Sequence, residues 1–134
     1  MTDSSTNPDL PTGLPHLVGV LGGGRMGAGI AHAFLIKGAD VLVVERDDVS
    51  AEGARERVES AALKSIERGV VDANFDELAS RLSVSTDYDA FTGRQLVVEA
   101  VPEDWDLKVT ALRGIEERLA EDGFIASNTL SLSV

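Results

Sequence analysis

The sequence predicts an α/β fold: a doubly wound, mostly parallel sheet with helices on both faces. Three observations predict it. Short apolar runs of strand length alternate with longer stretches patterned at helical spacing. The first two runs, Leu17–Leu21 and residues 41–44, flank one helical stretch and form a β-α-β unit of about 30 residues. Glycines stand where these segments stop, at Gly22, Gly38, Gly69 and Gly123. Right-handed crossovers then favour the doubly wound arrangement.

Each element follows from its residues. Residues 1–15 carry Pro8, Pro11 and Pro15 among polar side chains, so a flexible tail is expected there and the domain over 16–134. Leu17-Val18-Gly19-Val20-Leu21 reads as a buried parallel strand. Met26, Ile30, Ala33 and Phe34 mark a helix over 26–37, closed by Gly38. A second buried strand spans 41–44. A long helix over 47–68 buries Ala54, Val58, Ala61, Ala62 and Ile66 and ends at Gly69. Asn74-Phe75-Asp76-Glu77 has the form of a capping box, which starts a short helix running to Ser80. Strands follow over 82–85 and 96–101, the latter stopped by Pro102. A helix over 104–121 places Leu107, Ala111, Leu112, Ile115 and Leu119 inward, and a fifth strand starts at Phe124.

Composition narrows the partners. The 134 residues suit one domain, and the net charge of −11 opposes a nucleic-acid partner or an anionic membrane surface. There is no cysteine, which removes thiolate nucleophiles, disulfides and cysteine-based metal sites. No metal-ligand spacing occurs, no apolar run reaches the ~20 residues of a membrane span, and the N-terminus lacks the pattern of a secretory signal. A cytoplasmic protein is expected.

Gly22-Gly23-Gly24-Arg25-Met26-Gly27 fits G-x-G-x-x-G in its confirming context, after a strand and opening a helix. Gly22 allows the tight turn, Gly24 lets backbone approach a pyrophosphate, and Gly27 lets the helix pack close to the strand. The free N–H groups at the helix start attract phosphate charge. Glu45, at the end of the second strand, stands where an acid accepts hydrogen bonds from ribose hydroxyls and repels the extra phosphate of NADP. NAD is therefore the expected cofactor. Arg46 beside it is either a solvated loop charge or a phosphate ligand.

The stretch from Val18 through Gly22-Gly23-Gly24-Arg25-Met26-Gly27-Ala28-Gly29 to Ala31 resembles the start of the 3-hydroxyacyl-CoA dehydrogenases. Val97-Val98-Glu99-Ala100-Val101-Pro102-Glu103-Asp104 is similar to that family's second signature, and Ala126-Ser127-Asn128-Thr129 to its third. The resemblance covers Leu17 onward. It implies interconversion of a 3-hydroxyacyl-CoA and a 3-oxoacyl-CoA by hydride transfer with NAD. It also implies that Glu103 and Lys108 contact the nicotinamide side of NAD, that Ala100 and Val101 line the dinucleotide groove, and that Asn128 lies beside the reacting carbon. Read without the resemblance, Glu103 is a first-turn acid favoured by the helix dipole and Lys108 an i,i+4 partner of Asp104.

Departures from the family pattern matter. Leu130 stands where the family carries a serine that hydrogen-bonds the substrate oxygen, and Ser131 would point to the other face of an extended strand. Ala61 replaces a serine that meets the CoA part. Arg68 keeps the charge of a usual lysine and is the candidate substrate contact. These changes leave open an acyl carrier protein in place of CoA, as in the 3-hydroxyacyl-ACP dehydrogenases, or a non-catalytic nucleotide-binding module derived from the family.

The resemblance implies a histidine base, oriented by a glutamate, beyond the third signature. The two histidines present do not fill that role: His16 precedes the first strand, at the end away from the cofactor, and His32 lies inside the first helix. The expectation is a truncated cofactor domain without the catalytic strand and the helical C-terminal domain. By itself it would be inactive, with a homodimer formed only by the full-length protein. The fifth strand would leave an unpaired edge where a sixth normally lies.

Overall fold

The computed structural model describes residues 13–102, 106 and 109–127. Among them, strands β1 (Leu17–Leu21), β2 (Asp40–Val44), β3 (Leu82–Ser85), β4 (Leu96–Glu99) and β5 (Phe124–Ser127) form one parallel sheet ordered β3-β2-β1-β4-β5. Helices α1 (Arg25–Ile36), α2 (Asp48–Glu67), α3 (Phe75–Ser80) and α4 (Val109–Arg118) connect or flank the strands. Val20 of β1 stands opposite Val43 of β2 and Val98 of β4, so β1 is the centre of the sheet.

Both faces are covered, as the alternation of the strands requires. Val18, Val20, Val41 and Val43 pack against Ala28, Ala31 and Leu35 of α1 and Ala54, Val58 and Ala62 of α2. Leu21, Leu42, Val44 and Val97 face the other way, onto Phe91, Leu112 and Ile115. Phe91 belongs to a 3-10 turn, Tyr88–Phe91, which the sequence reading did not anticipate. Its ring lies on Gly19, where an added Cβ would come within 2.5 Å of it.

The expected helix ends are met closely. Asp47 caps α2 by accepting from the Ser50 N–H at 2.7 Å, and Asn74 caps α3 by accepting from the Glu77 N–H at 2.8 Å. Gly38 and Gly69 take positive φ just beyond α1 and α2.

Two segments are shorter than expected, each for a tertiary reason. Strand β4 stops at Glu99, not Val101, because the Val101 N–H turns back to donate to the Glu99 carboxylate at 2.8 Å. Helix α4 stops at Arg118, not Glu121: the Ala120 N–H donates to the Arg94 carbonyl at 2.8 Å in place of a helical bond. The tail over 1–12 and the start of the expected helix at Asp104 lie outside the described residues. None of the described helices is long and apolar enough to cross a membrane.

The chain runs β1, β2, β3 outward on one side, then returns to β4 and β5 on the other. The strand order thus switches direction beside β1. Open α/β sheets take their ligands in the crevice at such a switch point, here past the carboxyl ends of β1 and β4.

Candidate dinucleotide site

The crevice is built from the turn between β1 and α1. The Gly22 N–H donates to the Val44 carbonyl at 2.9 Å, which ties the turn to β2. Gly22 has φ +97°, and an added Cβ would sit 2.8 Å from the Ala100 carbonyl oxygen, so both conformation and space demand glycine. At Gly27 a Cβ would run into the Gly22 carbonyl oxygen, so glycine there sets how closely α1 approaches β1.

Gly24 differs: a Cβ there would meet no protein atom within 4 Å. It is the N-cap of α1 and offers no side-chain cap, and the first turn of α1 holds no acid. The capped starts of α2 and α3 make the contrast. The start of α1 thus has no side-chain cap, and a helix start of this kind can accept an anion. Arg25 opens the helix, and Met26 is 52% exposed at its first turn.

Glu45 is buried at the end of β2, 8% exposed. Its Oε2 accepts from the Gly23 N–H at 2.6 Å and its Oε1 from the Arg46 N–H at 3.1 Å. The Gly23 carbonyl accepts from the Arg57 guanidinium at 2.9 Å, so an acid and a base hold the loop from two sides. A carboxylate has about four lone-pair sites, so Glu45 retains acceptor capacity for a ribose hydroxyl.

On the far wall Ala100 is buried and Val101 half-buried. Behind them Glu99, 2% exposed, accepts from the Val101 N–H and, at 2.6 Å, from the Ser127 hydroxyl. It joins the ends of β4 and β5 at the crevice floor. Neither Glu99 nor Arg57 was picked out from sequence. An acid closing an apolar run was the available signal for Glu99; Arg57, one of several charges on α2, gave none. Glu103, Lys108, Asn128 and Leu130 lie outside the described residues.

Arg68 is the exposed C-cap of α2, away from the glycine turn. Between α1 and α2 runs an open groove of about 600 Å³, lined by Arg25, Arg57, Ser60, Ala61 and Lys64 among others. His32 is not at the crevice: its Nε2 shares a 2.7 Å hydrogen bond with the Ser65 hydroxyl across α1 and α2, and burial lowers its pKa. His16 precedes β1 at the opposite end of the sheet, its N–H donating to the Gln95 side chain at 2.7 Å. No cluster of three metal-ligating side chains occurs among the described residues.

Comparison with known proteins agrees with this geometry. The profile of the 3-hydroxyacyl-CoA dehydrogenase NAD-binding domain matches residues 17–134. The (S)-3-hydroxybutyryl-CoA dehydrogenase PaaH1 of Ralstonia eutropha is 32% identical, with a TM-score of 0.72 over 85% of this chain and 41% of its own. FadB2 of M. tuberculosis is 31% identical, with a TM-score of 0.74 over the same shares. The 3-hydroxybutyryl-CoA dehydrogenase of Escherichia coli K12 is 26% identical, with a TM-score of 0.73 over 86% of this chain and 25% of its own. The chain therefore spans about two-fifths, or less, of these relatives.

Proposed function

Because this chain belongs to the family of 3-hydroxyacyl-CoA dehydrogenase NAD-binding domains, we propose that it serves as the cofactor-holding part of an enzyme that interconverts 3-hydroxyacyl and 3-oxoacyl thioesters. The observation that carries the reading is the uncapped start of α1 behind Gly24, with the buried Glu45 carboxylate beside it.

In this reading Gly22, Gly24, Arg25, Met26 and Gly27 hold the pyrophosphate with backbone amides and the α1 dipole. Glu45 accepts from the adenosine ribose while fixing Gly23. Ala100 and Val101 line the groove, and Glu103, Lys108 and Asn128 serve the nicotinamide side. NAD supplies the hydride chemistry when bound; this chain contributes position and local electrostatics. Arg68 is assigned to the anionic acyl carrier. CoA is the expected carrier and an acyl carrier protein the alternative. A cytoplasmic location and a homodimeric full-length enzyme belong to the same reading.

The proton is the missing half of the reaction. Oxidising a secondary alcohol needs a base within hydrogen-bond reach of the hydroxyl. His32 is committed to Ser65 and His16 stands at the far end of the sheet, and the sequence has no third histidine. Residues 1–134 alone are thus expected to bind NADH and turn over no acetoacetyl-CoA. Titration by NADH fluorescence, followed by a turnover assay, tests both halves. Absence of NADH binding would overturn the cofactor assignment, and turnover would overturn the reading that residues 1–134 supply no base.

A further inference from the structure

A second feature bears on which dinucleotide the crevice accepts. Past the ends of β2 and β3 lies an open recess of about 520 Å³, lined by Glu45, Arg46, Thr86, Asp87, Tyr88 and Asp89. The Glu45 N–H donates to the Ser85 carbonyl at 2.9 Å, so the exits of the two strands run side by side and bring Asp87 to the rim that Glu45 begins.

The three carboxylates of this recess are not equivalent. Asp89 pairs with the Arg118 guanidinium at 2.6 Å, which offsets its charge. Glu45 has an oxygen committed to the Gly23 N–H. Asp87 makes no ion pair among the described residues, yet it is held in place. Its N–H donates to the Ser85 hydroxyl at 3.0 Å, and its Oδ1 accepts from the Asp89 N–H at 2.9 Å, capping the 3-10 turn.

We propose that Asp87 is a specificity-determining residue: a second carboxylate beside Glu45 that offsets Arg46 and rejects the 2′-phosphate of NADP. The proposal rests on the assignment of Glu45 to the adenosine ribose. A phosphate monoester carries about two negative charges at neutral pH, so each fixed carboxylate near it acts twice over. The recess is open to water, which makes the effect modest and sensitive to salt, with a Debye length of about 8 Å at physiological ionic strength.

The test is an equilibrium titration of residues 1–134 with NADH and with NADPH. The variant is Asp87→Asn, whose amide oxygen still caps the Asp89 N–H. NADPH binding should tighten about three- to tenfold while NADH changes less than about twofold, and the gain should shrink in about 0.5 M salt. Asp72→Asn removes an exposed charge elsewhere on the chain and should leave the ratio unchanged. If the unsubstituted chain binds NADH but Asp87→Asn leaves the ratio unchanged, or shifts it no more than Asp72→Asn does, the role of Asp87 is overturned and the cofactor assignment stands. If the unsubstituted chain binds neither dinucleotide, the cofactor assignment itself fails.

Discussion

Gly24 and Gly27 stand three positions apart, and a side chain at each would meet opposite surroundings. At Gly27 the obstacle is protein, the carbonyl oxygen of Gly22; at Gly24 the space is empty of protein. Gly27→Ala must therefore push α1 off β1, at about 1–3 kcal/mol as overpacking usually costs. It should lower the thermal midpoint and weaken NADH binding together. Gly24→Ala should leave the melt nearly unchanged and still weaken NADH binding about tenfold or more, because its methyl would occupy the space assigned to the pyrophosphate. Paired melting and titration separate the two; a Gly24→Ala chain that binds NADH normally would put the pyrophosphate elsewhere. Glu45→Gln keeps an acceptor for the Gly23 N–H and removes the charge, so it should change the NADH-to-NADPH ratio far more than the stability. That Gly22, Gly24 and Gly27 belong together was legible because their spacing is local. Gly23 was not: it must be glycine because Ala54 of α2 lies against it, and no local pattern reports a neighbour 31 positions away.

At the scale of elements, the seam between α1 and α2 carries the one titratable link between them among the described residues. Burial favours neutral His32, so the unfolded chain takes up that proton more readily than the folded one. The resulting stability is fully present above the ordinary imidazole value of about 6.5 and is lost as pH falls through the lower folded value. Melting curves from pH 8 to pH 5.5 should show this loss, and His32→Gln should reduce it. The opposite face depends on Phe91, fully buried between Gly19 and the α4 side chains. Phe91→Ala should cost about 3–5 kcal/mol, a large share of a small domain's stability, and show as a fall in the urea midpoint. Periodicity exposed β1, β2 and α2 because each buries a regular stripe. It could not expose the 3-10 turn, whose four residues hold one buried aromatic. It also overran β4 and α4, whose ends are set by the Glu99 carboxylate and the Arg94 carbonyl rather than by their own residues.

For the whole molecule, an acidic chain of net charge −11 is assigned an anionic cofactor. Long-range attraction cannot explain that; oriented amides at one helix start, with Arg25 and Arg57 nearby, can. The sequence by itself determined the fold class, the order of strands and helices, the glycine turn and the family. Those are written in local spacing and in signatures that survive as contiguous residues. Glu45 was legible beside that turn; only the tertiary structure decided the groups around it: Arg57 across Gly23 from Glu45, Glu99 bonded to Val101 and Ser127, and Asp87 on the recess that Glu45 also lines. The reason is that a parallel sheet aligns strand ends that are tens of residues apart in the chain. The chemistry of the crevice therefore comes from register between strands, which no single stretch of sequence contains.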